Sequence, residues 1–250
     1  MVKNLIRAIR LEFNFLKQSK TNLLLYFIIP ILFTYFFGFA GQIEVSWKEG
    51  VNYFVMYSSL ILPLFIIFIT VQITIMRIVG ERAPYGTLDR DLLSLSRSSI
   101  YFGKFIIGCI ISVIQVLIVF FISFNVFNLP VNPSLFLYIL MLVAFFGIAL
   151  GLFISMISSN KEQASQIVPF AILILFIFNG SLISLDRIVS PLKGIISSLP
   201  LATATDSLAR MINSNQGFYE LQNNLIFLGI WVLVIVAVGW IKFYLESFRK

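Results

Sequence analysis

Between Lys104 and Lys161 the chain runs for 56 residues without a charged side chain. No water-soluble fold accommodates such a stretch, because a surface helix needs a polar face and charged groups make up about a quarter of an ordinary soluble domain. Four further uncharged gaps, of 23, 27, 23 and 21 residues, separate Lys20 from Glu44, Glu49 from Arg77, Glu162 from Asp186 and Glu220 from Lys242. A helix needs about 20 apolar residues to cross the hydrocarbon core of a bilayer. Four gaps therefore hold one span each. The 56-residue gap holds two, because Asn128-Leu129-Pro130-Val131-Asn132-Pro133 sets two prolines in its middle and proline interrupts a helix.

The predicted fold class is an all-α polytopic membrane protein. An amphipathic segment over residues 1–20 precedes a transmembrane domain over 21–250. Six spans are expected near residues 22–41, 51–76, 104–128, 134–157, 164–185 and 222–243, with a loop over 77–103 and an outer segment over 186–221. Of 250 residues, 12% are charged and 59% hydrophobic, which disfavours a soluble enzyme, a nucleic-acid module and a disordered tail alike. The first apolar stretch is too long for a signal peptide and no Ala-x-Ala site follows it. With one cysteine, Cys109, inside the third span, no intrachain disulfide staples the outer segment.

Orientation follows from the placement of Lys and Arg. Of 18 such residues, 14 fall in the N-terminal segment, the loops after spans two and four, and the C-terminus, while Lys48, Arg187, Lys193 and Arg210 fall on the other side. Both termini are therefore expected in the cytoplasm. In the first twenty residues, Lys3, Arg7, Arg10, Asn14 and Lys17 share one helical face, and Leu5, Ile6, Ile9, Phe13 and Leu16 share the opposite one. That pattern predicts an interfacial helix whose basic side suits anionic headgroups. It serves either as a positive-inside anchor or as an elbow that touches a cytoplasmic partner.

The middles of the spans carry no Asp, Glu, Lys or Arg, and the chain has no His. The parts of a proton relay, a voltage sensor, a metal site and a serine–histidine hydrolase are missing, so no catalytic or metal-binding residues are assigned. No Gly-x-x-x-x-Gly-Lys-Ser/Thr phosphate loop occurs either. Energy for uphill transport would have to come from another polypeptide. Gly147, Gly151 and Ser155 recur every four residues and predict close helix packing, within the subunit or at a dimer seam. Polar residues of the spans include Thr70, Gln72, Thr74, Gln115 and Asn179. Amides are costly against lipid, so Gln72, Gln115 and Asn179 either bond between helices or line a pathway.

The loop after span two is the most informative stretch. Pro84-Tyr85-Gly86 should end the helix descending from the membrane. Thr87 is then a candidate N-cap for a short helix, with Asp89 and Asp91 at its start and Leu88, Leu92 and Leu95 on one face. Ser98 or Ser99 would cap the next helix, and Lys104 would snorkel to the headgroups. Such a helix suits docking on a cytoplasmic protein; the alternative is a connector folded against its own subunit.

Glu81, Arg82, Gly86, Thr87, Leu88 and Asp89 resemble the Glu-Arg-Glu-x-Gly-Thr-Leu-Glu segment of ABC-2 type transporter permeases, the membrane subunits of one class of ATP-binding-cassette exporters. Ala83-Pro84-Tyr85 is one residue longer than the family spacing and lacks the second acid. Gly103-Lys104-Phe105 resembles the family's start of span three, Phe178-Asn179-Gly180-Ser181 its end of span five, and Leu199-Pro200-Leu201 with Asp206 and Leu208 its segment before span six. Ser159-Asn160-Lys161-Glu162-Gln163-Ala164 is similar to its polar loop before span five.

The resemblance implies that residues near 81–95, with Leu92 and Leu95, form a coupling helix docked on separate ATPase subunits, which would bind ATP and Mg. It implies no cofactor on this chain, a second permease copy or similar subunit, and short external helices capping the pathway. Hydrophobic or amphiphilic cargo such as a drug, antibiotic or lipid is the expectation, with a lipid-linked polysaccharide or a passive channel or carrier as alternatives. Membrane lipids are expected partners and nucleic acid is not. The absence of a sorting signal and of a fused ATPase favours a bacterial or archaeal plasma membrane.

Overall fold

The computed structural model describes residues 2–18, 20–40, 53–82, 88–179 and 190–245, apart from some side chains within them. Among these residues all regular structure is helical: α1 (Val2–Gln18), α2 (Lys20–Ala40), α3 (Tyr53–Leu60), α4 (Leu62–Arg82), α5 (Leu88–Ser94), α6 (Arg97–Asn125), α7 (Pro133–Ile157), α8 (Lys161–Ile177), α9 (Ser190–Ser197), α10 (Pro200–Ser214) and α11 (Phe218–Leu245). Helices α4, α6, α7 and α11 are long and apolar enough to cross a membrane. Helices α2 and α8 are apolar over 17 and 16 described residues, Leu24–Ala40 and Glu162–Ile177, about 25 Å at 1.5 Å per residue.

The predicted second span, 51–76, is two helices that part at Ile61. Pro63 explains the break, since it has no N–H to offer and its ring crowds the carbonyl of Ser59. Helix α4 then continues past residue 76 to Arg82, and α6 begins at Arg97, so much of the predicted loop 77–103 is helical. The cap of α6 is Ser96, not Ser98 or Ser99: its backbone is extended and its Oγ accepts the Ser99 N–H at 3.3 Å. Ser98 instead accepts the indole N–H of Trp240.

Other boundaries follow local chemistry. Asn128 takes a left-handed conformation in the predicted turn, and Asn132 caps α7 with Pro133 in its first turn. Asn160 accepts the Gln163 N–H while Gln163 Oε1 accepts that of Ser159, a reciprocal cap for α8. Asn215, left-handed, ends α10, and Glu220 reaches back to the Gly217 N–H at the start of α11.

Helices α4 and α7 form the centre and make the most extensive contact in the bundle. Around them, α6 and α11 pack on α7, α8 packs on α4, and α2 packs on α6. A Cβ on Gly147 would collide with Thr70 Oγ1, and one on Gly151 would lie 2.8 Å from Thr74 Cβ and 3.0 Å from the Val71 carbonyl oxygen. The small-residue seam thus belongs to the α4–α7 contact inside the subunit, with Ser155 fully buried below it. Thr70 and Thr74 satisfy their hydroxyls on the preceding turn of α4, so the approach leaves no stranded donor.

The described part of the segment 186–221 contains α9 and α10. Leu201, Leu208 and Met211 on α10 are buried in the main core, and α10 packs on α3, α7 and α11. In α9, Ile196 is buried and Ile195 is exposed. Asn224 on α11 donates to both Asp206 and Ser207 of α10, and Asp206 also pairs with Arg210. Residues 180–189, including Gly180 and Ser181, lie outside the described residues.

Candidate functional site

The base of the bundle, where α1, α5 and the ends of α4, α6 and α11 meet, holds the one buried ionic cluster among the described residues. Helix α1 packs along α6 through Ala8, Glu12 and Leu16, one residue per turn. The approach is close: a Cβ on Gly103 would lie 2.9 Å from Ala8 Cβ. Glycine at 103 therefore brings Glu12 within reach of the next side chain, Lys104. The Lys104 ammonium donates to Glu12 and, on its other side, to Glu81 near the end of α4.

Lys104 is 4% exposed, Glu81 5% and Glu12 8%. The expectation that Lys104 snorkels to the headgroups is therefore corrected. Two carboxylates in a poorly solvated pocket supply the counter-charge that water would otherwise give, and an unpaired charge there is strongly unfavourable. Sequence reasoning missed Glu12. Its signal was an acid on the apolar face of an amphipathic helix, a position that calls for a buried cation.

After Glu81 in the sequence, the leucine stripe of α5 and of the residue just past it faces inward. Leu88 and Leu95 are buried in a cluster with Ala8, Ile78, Ile100, Tyr101, Leu152 and Phe243, and Leu92 packs partly against it. The idea that this stripe is the surface offered to another protein is corrected: seven residues supply one apolar face, and the subunit's own core takes it. Asp91 remains partly exposed and Ser94 exposed. The side chains of Arg82 and Asp89, and residues Gly86 and Thr87 entirely, lie outside the described residues.

Helix α11 is fastened to the same base. Arg97 donates to the Tyr244 carbonyl at 2.7 Å, Trp240 to Ser98 Oγ at 3.1 Å, and Tyr101 to the Val236 carbonyl at 3.0 Å. Residues 236, 240 and 244 are one turn apart, so one stripe of α11 is bonded over its last turns.

Two of the three amides singled out as pathway candidates bond to backbone carbonyls. Pro30 interrupts α2 and cannot donate to the carbonyl of Tyr26, four residues earlier. Gln115 on α6 supplies the missing donor, with Nε2 2.7 Å from that oxygen. Asn179 reaches 3.3 Å to the Leu60 carbonyl at the α3–α4 break. Gln72 is half-buried on α4. The structure does not gather these three side chains into one site.

Residues 43–241 match the family described as ABC-2 family transporter protein. The chain belongs to this ABC-2 family. ABC transporter G family member 20 of Dictyostelium discoideum is 27% identical over 176 residues, covering 69% of this chain and 23% of that protein. The chain thus spans less than a quarter of that relative's length. As an ABC-2 family member with four long apolar helices, it is a multi-pass membrane protein. Glu81, Lys104 and the whole of α5 lie inside the matched region, whereas Glu12 precedes it.

Proposed function

We propose that the chain is the permease subunit of an ATP-driven exporter, energised by separate ATPase subunits that bind ATP and Mg. The observation that carries this reading is the Glu12–Lys104–Glu81 cluster. It ties the helix end that leads into α5 to two other helices, so a push on α5 moves α1, α4 and α6 together rather than bending one loop. In this reading α5 is the coupling helix, its leucines anchoring it to the subunit and its outer face, including Ser94, meeting the ATPase.

Six spans, made by α2, α3 with α4, α6, α7, α8 and α11, then place both termini and α5 in the cytoplasm, with α9 and α10 at the outer end. Helix α1 lies along the inner surface of the membrane. A second permease, the same or similar, completes the pathway, and ATP binding shifts the pair between inward and outward states through differential affinity. The walls offered by the spans are aliphatic and aromatic, which suits hydrophobic or amphiphilic cargo such as a drug, antibiotic or lipid. A bacterial or archaeal plasma membrane is the setting we favour.

Affinity purification of the tagged chain from gently solubilised membranes, followed by identification of co-purifying subunits and an ATP hydrolysis assay, tests the proposal. A stoichiometric ATPase is expected. A preparation without one, reproduced in mild detergent and in nanodiscs, overturns it.

A further inference from the structure

Helix α1 carries four cations, Lys3, Arg7, Arg10 and Lys17, and one acid, Glu12. The four cations are exposed and form no ion pair among the described residues, while Glu12 is turned inward onto Lys104. The outer surface of α1 is therefore of one sign. Exposed Ile6 and Phe13 flank it, and the Lys17 ammonium sits 4.7 Å above the Phe13 ring. The helix leads almost directly into α2, an apolar helix. A basic stripe bordered by exposed apolar side chains and held beside a membrane helix complements an anionic lipid surface, which satisfies both at once.

The inner side of the same helix is wired to α5 in two ways. Glu12 shares Lys104 with Glu81, which lies seven residues before Leu88, the first residue of α5. Ala8 shares a buried cluster with Leu88 of α5 and with Leu95, the residue that follows that helix. We infer that α1 is a sensor of anionic phospholipid: headgroups held by Lys3, Arg7, Arg10 and Lys17 fix the position of α1, and Glu12 passes that position through Lys104 and Glu81 to α5. The inference rests on the proposed reading of α5 as the coupling element. Its lipid-retention and hydrogen-exchange readouts need no ATPase, so the two fail separately.

The full chain is placed in nanodiscs of phosphatidylcholine alone, or of phosphatidylcholine and phosphatidylglycerol in equal parts. Lipids retained on release are counted by native mass spectrometry, and amide hydrogen exchange is followed over residues 88–94. Phosphatidylglycerol should be retained preferentially, with Arg7→Gln and Arg10→Gln each weakening the preference about fivefold. Exchange over 88–94 should slow in the anionic discs. Glu12→Gln should keep the lipid preference and lose that slowing. Arg7 and Arg10 are exposed, so their variants carry the test even if Glu12→Gln fails to fold.

Equal retention of the two lipids, a preference untouched by Arg7→Gln and Arg10→Gln, or identical exchange in both discs overturns the inference. Loss of a co-purifying ATPase in those arginine variants with lipid preference intact would also overturn it, since the basic face would then belong to a protein partner.

Discussion

Gln115 donates its side-chain amide to the backbone carbonyl of Tyr26, the carbonyl that Pro30 leaves without an N–H in α2. A glutamine that looks like a polar lining residue is thus paired with a proline 85 positions away in sequence. Inside a bilayer a stranded carbonyl has no water to turn to, so the two residues form one unit.

Gln115→Leu should therefore destabilise the protein by about 1–3 kcal/mol, the cost of an unmet buried acceptor. The same change in a Pro30→Ala background should cost little, because alanine restores the N–H. Thermal unfolding of the four proteins of this cycle in one detergent gives the coupling directly. Equal costs in both backgrounds would assign Gln115 another role.

Lys104→Met leaves Glu12 and Glu81 facing each other in a buried site. A loss of about 3–5 kcal/mol is expected. Replacing all three residues by methionine should recover most of it, since no charge then remains to solvate. The thermal midpoints of single and triple variants in lipid nanodiscs compare the two.

Leu88 is 1% exposed, so Leu88→Asp should lower the yield of folded protein rather than only release a partner, because it sets a carboxylate in an apolar cluster. Ser94→Trp, on the exposed face of α5, should leave the midpoint unchanged and remove the ATPase from the purified complex. Size-exclusion profiles and co-purification measured on both variants separate the anchoring side of α5 from its docking side.

Two glycines give opposite outcomes. Gly151→Val pushes into Thr74 and the Val71 backbone and should cost about 1–3 kcal/mol by forcing α4 and α7 apart. A Cβ on Gly229 of α11 would meet nothing within 4 Å, so Gly229→Ala should gain about 0.5–1 kcal/mol from helix propensity alone. Unfolding midpoints of the two variants check both signs.

That this chain is a bundle of apolar helices is legible along the sequence alone. The gap from Lys104 to Lys161, its Asn128–Pro133 turn and the basic face of α1 state this locally, because burying a charge in hydrocarbon or placing proline within a helix is costly whatever the neighbours are. The loop from Glu81 to Leu95 resembled ABC-2 permeases, and the family match covers it.

Tertiary structure decided which polar side chain meets which. Periodicity put Leu88, Leu92 and Leu95 on one face but not whether that face turns inward. It put Lys104 at a span's end but not Glu12 against it, and it flagged Gln115 without Tyr26. These pairings join helices far apart in sequence, and their energy depends on burial that exists only once α1, α4 and α6 have closed around them.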